Sequence, residues 1–162
     1  MNTNDNIFKA NPIVKRVSKF SNITGTSPAD FGIDTSRLER LKAELTTLET
    51  ITLPDAERKL ALHEGFLAEN IRLANAGQMD PRNVDTERRY VTEFTAEVSN
   101  IKNVLIPNKK REVDNEQRVV NTLFEKQIEA LREKAKTDPT ALAALKELEA
   151  QQAAISGSKT KI

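Results

Sequence analysis

The sequence predicts an all-α protein: an elongated antiparallel helical bundle, or a set of coiled-coil hairpins, carrying an extended non-helical N-terminal arm. Three observations lead there. Apolar residues recur at intervals of three and four between residues 35 and 155, the period of helices with one buried stripe. That stretch is interrupted only at helix punctuation: Pro54, Gly77 to Pro81, Pro107 and Asp138-Pro139. Residues 1–34, by contrast, hold Pro12, Gly25, Pro28 and Gly32 among many Asn, Ser and Thr, without a helical period. The expected organisation is therefore an arm at 1–34, a helical body of about five segments at 35–155, and a flexible tail at 156–162.

The first segment opens at Ser36, where Glu39 completes a capping-box pattern and Asp34 and Thr35 compete as caps. Leu38, Leu41, Leu45 and Leu48 then form a two-heptad stripe, with threonines lowering helix propensity toward its end. The second segment has Pro54 in its first turn, where a missing N–H costs nothing. Asp55 precedes Lys59 by four residues, a favourable surface pair. Leu60, Leu67, Ile71 and Ala74 mark its face, and Gly77 suits a left-handed C-cap.

The third segment opens at Asp80-Pro81 and carries the cleanest stripe: Val84, Val91, Phe94, Val98, Ile101 and Leu105. Val91, Phe94, Val98, Ile101 and Leu105 are the expected central seam, and Pro107 is expected to end the helix. The fourth segment carries Val113, Val120, Phe124, Ile128, Leu131 and Ala135. The fifth starts at Asp138-Pro139, is rich in strong helix formers, and faces inward through Leu142, Leu145, Leu148 and Ile155. Segments three and four at about 25 residues each would be roughly 37 Å long. A sphere of 162 residues has a radius of gyration of only about 15 Å, hence the expected elongation.

Composition narrows the function classes. Lys+Arg 25 against Asp+Glu 24 leaves a formal net charge of +1, so no global field selects nucleic acid or an acidic partner. With no Cys and one His, disulfides, thiolate metal sites and cysteine nucleophiles are excluded, and hydrolytic triads are disfavoured. Five glycines assemble neither a P-loop nor a dinucleotide fingerprint. His63-Glu64 lacks the second histidine that a zinc helix needs, since Leu67 stands there. Glu93, Glu97, Glu125, Glu129 and Glu133 read as solvated helix faces. No enzyme activity, cofactor or metal is expected. The first twenty residues hold no apolar signal core and no later stretch is a membrane span, so the expected location is the cytoplasm at synthesis.

The arm is rich in sticky side chains. It holds Phe8, Phe20 and Phe31, from a chain with six phenylalanines, together with Val17 and several isoleucines. Phe8, Val17, Phe20 and Phe31 are the expected partner anchors. Each large side chain buried contributes about 1.5–3 kcal/mol and each ordered backbone residue costs about 1–2 kcal/mol, so such an arm needs a partner surface. Lys15, Arg16 and Lys19, with Lys109, Lys110 and Arg111 after Pro107, are the candidate phosphate contacts. The function expected is a structural or assembly subunit of a multi-protein particle, most concretely a bacteriophage virion component, with other subunits and copies of itself as partners. A nucleic-acid-binding helical regulator, and a scaffold or chaperone absent from the finished particle, are the alternatives.

Overall fold

A computed structural model describes residues 27–157. The anchors Phe8, Val17 and Phe20, the cations Lys15, Arg16 and Lys19, and the tail from residue 158 lie outside the described residues. Within them the protein is all-α, with no strand. A 3-10 turn, Pro28–Phe31, precedes helix α1, Ser36–Thr47. A five-residue π-turn, Leu48–Thr52, leads directly into α2, Leu53–Asn75. Helix α3, Pro81–Asn100, continues through a second π-turn, Ile101–Leu105, into α4, Ile106–Ala135. Helix α5 is Pro139–Gly157. None of the described helices is long and apolar enough to cross a membrane.

The five expected segments are all present, with Pro54 in the first turn of α2 as expected. However, π-turns join them into three continuous helical runs, 36–75, 81–135 and 139–157, and Pro107 does not end its helix. A proline ring clashes with the carbonyl four residues back in a regular α-helix and cannot donate to it. Here each proline is preceded by a π-turn. The Leu53 N–H donates to the Leu48 carbonyl and the Ile106 N–H to the Ile101 carbonyl, a wider i→i+5 loop that carries the chain past the ring. Both crossings share one layout: a π-turn of five residues, one aliphatic residue, then proline.

The chain forms two compact units, one spanning Glu39–Asn115 and the other combining the described residues up to Leu38 with those from Glu116 onward. In the first unit, α2 packs along α3 and the two π-turns meet. Ion pairs Lys110–Glu49 at 3.0 Å, Lys102–Glu57 at 2.9 Å and His63–Glu87 at 2.8 Å link them; the partner number falls as the other rises, so the two helical runs are antiparallel. The core comprises Ala56, Val98, Ile101 and Ile106, with Leu45, Leu48, Leu53 and Leu60 against them. The reversal between α2 and α3 is capped as the glycine predicts. Gly77 adopts φ 72°, its N–H donates to the Ala74 carbonyl at 3.0 Å, and the Gln78 N–H donates to that of Leu73 at 2.9 Å, a Schellman closure. Asp80 then caps α3, accepting the Arg82 N–H at 2.9 Å.

In the second unit, Val120, Phe124, Ile128 and Leu131 of α4 are buried together with Ala141, Ala144, Leu145 and Leu148 of α5. The 3-10 turn packs on α5, and Phe31, Ile33 and Leu38 are buried in this unit. The last residues assigned to the arm are therefore body: Phe31 anchors its own chain, because Gly32 at φ 75° folds the turn back. Three smaller expectations also shift. Ser36 is not the cap of α1; its N–H donates at 2.9 Å and its hydroxyl at 2.6 Å to Asp34 Oδ1, which holds that carboxyl below its ordinary value. Asp55 pairs with Arg58 rather than Lys59. Leu142 is exposed, since Ala141 and Ala144 occupy the inward positions of α5, and that helix extends through Ser156 and Gly157 instead of ending before them.

Candidate protein interface

Of the expected seam, two residues lie in the core of the first unit. Val98 and Ile101 are buried, and Val91 and Phe94 are half-buried. Leu105 departs: it is 40% exposed, whereas Ile106 is 7% exposed. The π-turn inserts one residue, so the inward position falls five residues after Ile101 and not four. The same jump takes the stripe from Leu48 to Leu53.

Midway along α2 and α3 the hairpin displays aromatic surface. Leu62 and Phe66 project from α2 and Tyr90 from α3, with 55%, 46% and 38% of their areas exposed. Half-buried His63 sits between them. Its ring lies 4.9 Å from that of Phe94, 5.3 Å from Tyr90 and 5.6 Å, edge-on, from Phe66, distances at which aromatic pairs attract. Tyr90 and Phe94 stack at 6.3 Å. His63 Nδ1 is 2.8 Å from Glu87 Oε2, so a carboxylate on α3 fixes the imidazole on α2. The spacing around His63 excludes a zinc helix but says nothing of a partner on another helix. Its partner is 24 positions away, and only the hairpin brings the two together. Among the described residues, no group of three or more His, Asp or Glu side chains is placed to hold a metal.

More apolar surface flanks the proline crossings. Ile51 is the fourth residue of its π-turn and Val104 the fourth of the other; both are exposed, as is Leu105.

The basic run is engaged within the first unit. Lys109 Nζ donates to Glu44 at 2.8 Å and to Glu112 at 2.9 Å, which raises its pKa and, through the Lys109 hydrogen bond, lowers that of Glu44. Lys110 pairs with Glu49 and Arg111 with Asn108. Because α3 runs on into α4, these cations stand inside a continuous helix and not at a helix C-terminus.

The second unit contains a polar chain that the sequence did not reveal. Gln117, 3% exposed, donates from Nε2 to Asn121 Oδ1 at 3.1 Å, and Ser156 Oγ donates to the same oxygen at 3.4 Å. It joins α4 to α5 at one register. Compared with known proteins, the chain matches no family model, no curated protein and no solved structure.

Proposed function

We propose that this chain is a non-enzymatic structural or assembly subunit of a larger multi-protein particle, in its most concrete form a component of a bacteriophage virion. The observation that supports this reading is the aromatic face of the hairpin, where Leu62, Phe66 and Tyr90 stay exposed over a ring-packed base. Exposed rings over a packed aromatic base are the kind of side chain that dominates protein interfaces. In this reading the helices pair as elongated coiled-coil hairpins, and the α2–α3 face meets a neighbouring subunit. The segment before Ser27, with Phe8, Val17 and Phe20, engages another. Phe31 is reserved for the chain's own core.

Native mass spectrometry of the untagged chain, isolated from cells that produce it, tests the reading. A particle containing the chain in fixed stoichiometry is expected. Absence from finished particles, with the chain present in assembly intermediates, identifies a departing scaffold instead. A monomer at every stage removes the assembly role altogether.

A further inference from the structure

Helix α2 carries a second stripe, on a face that its own chain leaves open. Lys59, Leu62, Phe66 and Glu69 are all exposed and follow one another at three, four and three residues, the spacing of a coiled-coil seam. They lie roughly a third of a turn round the helix from Ala56, Leu60, His63 and Leu67, which are buried or half-buried. Gly65 sits among them, near the middle of a 23-residue helix. Glycine there weakens the helix relative to alanine, and a Cβ at that position would meet nothing within 4 Å. Packing within the chain therefore does not call for it. Leu62, Gly65, Phe66 and Glu69 form a rhomb on the helix surface, and its bare corner leaves the kind of hole that receives a knob from a facing helix.

The order of the stripe selects the facing helix. From either end it reads as a charge, two apolar side chains and the opposite charge. A second copy of α2, laid antiparallel about a two-fold axis at Glu64, sets Lys59 opposite Glu69 and Leu62 opposite Phe66, each pairing made twice. Isologous contacts require that reciprocity, whereas a parallel arrangement would set Lys59 against Lys59. The charges are available. Among the described residues Lys59 has no ion pair, because Asp55 is taken by Arg58. Glu69 accepts from Arg72 at 2.6 and 3.0 Å, and a carboxylate has lone pairs for a further donor. The formal net charge of +1 adds little repulsion between copies. We propose that two copies of this chain associate through α2 against α2, antiparallel, with Phe66 of each copy seated beside Gly65 of the other. This rests on the reading of the aromatic face as an interface, proposed above, and names its partner there as a second copy.

Analytical ultracentrifugation of the purified full chain over a range of concentrations should show a monomer–dimer equilibrium. Lys59→Glu and Glu69→Lys should each raise the dimer Kd by about tenfold or more, because two attractive pairs become repulsive. The double variant Lys59→Glu/Glu69→Lys should bring Kd back toward the parental value. A side chain at position 65 has open space around it, so Gly65→Gln should keep the helicity of the monomer in circular dichroism and still weaken the dimer. A chain that stays monomeric at every concentration overturns the proposal. So does a dimer that the charge reversals or Gly65→Gln leave unchanged, or one that the double variant fails to restore. The two readings fail separately. A monomeric chain that enters its particle, and loses its place there on Phe66→Glu, overturns self-association and keeps the aromatic face as a contact with a different subunit. A dimer restored by the charge swap stands whether or not the chain belongs to a particle.

Discussion

Lys109 shows how a residue's role is set by what its fold places opposite. Its ammonium bridges Glu44, from the other helical run of the first unit, and Glu112, one turn along its own helix. The Lys109 hydrogen bond holds the Glu44 carboxyl below its ordinary value of 4.5, and Arg72 does the same for Glu69. A carboxyl whose pKa is lower folded than unfolded stabilises the fold fully above the unfolded value. That contribution is lost as pH falls through the folded value. The contribution of these two carboxyls should therefore be level from pH 7 to about pH 5 and be lost as pH falls below about 4.5. Both groups are solvent-exposed, so each contribution is small and screened by salt. Urea denaturation across pH 3–7 checks this: Glu44→Gln should show a shallower acid decline than the parent, and 1 M salt should reduce the difference. An acid decline as steep in Glu44→Gln as in the parent would show that this pair contributes nothing.

At the scale of elements, the two proline crossings are the device that makes long helices of shorter ones. If the π-turn is what lets Pro107 sit inside a helix, removing one residue from it should bring back the clash. Asn103 is exposed and contributes only a 3.1 Å hydrogen bond to Ser99. Its deletion brings Ile106 four positions after Ile101, which keeps both on the inward face but forces Pro107 into regular α-helix. The expected cost is about 3 kcal/mol, measured by chemical denaturation. Adding Pro107→Ala to the deletion should recover most of it. Equal losses with and without the proline would mean that the π-turn has some other cause. The crossings also explain what could be read in advance. The stripes at Leu38, Leu41, Leu45 and Leu48, and at Val120, Phe124, Ile128 and Leu131, follow from spacing alone, and the caps at Gly77 and Asp80 follow from residue type. The phase jump at 101 to 106 was hidden because Leu105 and Ile106 are both aliphatic, so either completes a plausible stripe. Pro107 then read as a stop, since nothing local distinguishes a terminating proline from one preceded by a wide turn. The His63–Glu87 pair and the Gln117–Asn121–Ser156 chain were invisible for a different reason: each depends on helix pairing, which spacing within one helix does not encode.

At the scale of the molecule, the question is why a chain with 4% aromatic residues leaves some of them outside. A formal net charge of +1 supplies little long-range repulsion between copies or partners, so exposed rings are free to direct association. Phe66 is the most telling position. Within the chain it touches the histidine ring edge-on, a contact worth about 0.5–1.5 kcal/mol, while 46% of its area faces outward. A charge placed there costs an interface more than it costs the fold. Phe66→Glu is expected to shift the unfolding free energy by about 1–3 kcal/mol, the lost ring contact plus the burial of roughly half the side chain, and to eliminate the chain from its particle in native mass spectra. Leu142→Glu, at an exposed leucine of α5, should leave both readouts unchanged, because isolated apolar residues on a surface are ordinary. Incorporation of the Phe66→Glu chain at parental stoichiometry would remove the α2–α3 face from the interface and leave the segment before Ser27 as the attachment. Loss of incorporation with the fold intact would fix the aromatic face as the contact, with Tyr90→Glu from the opposite helix then expected to reproduce it.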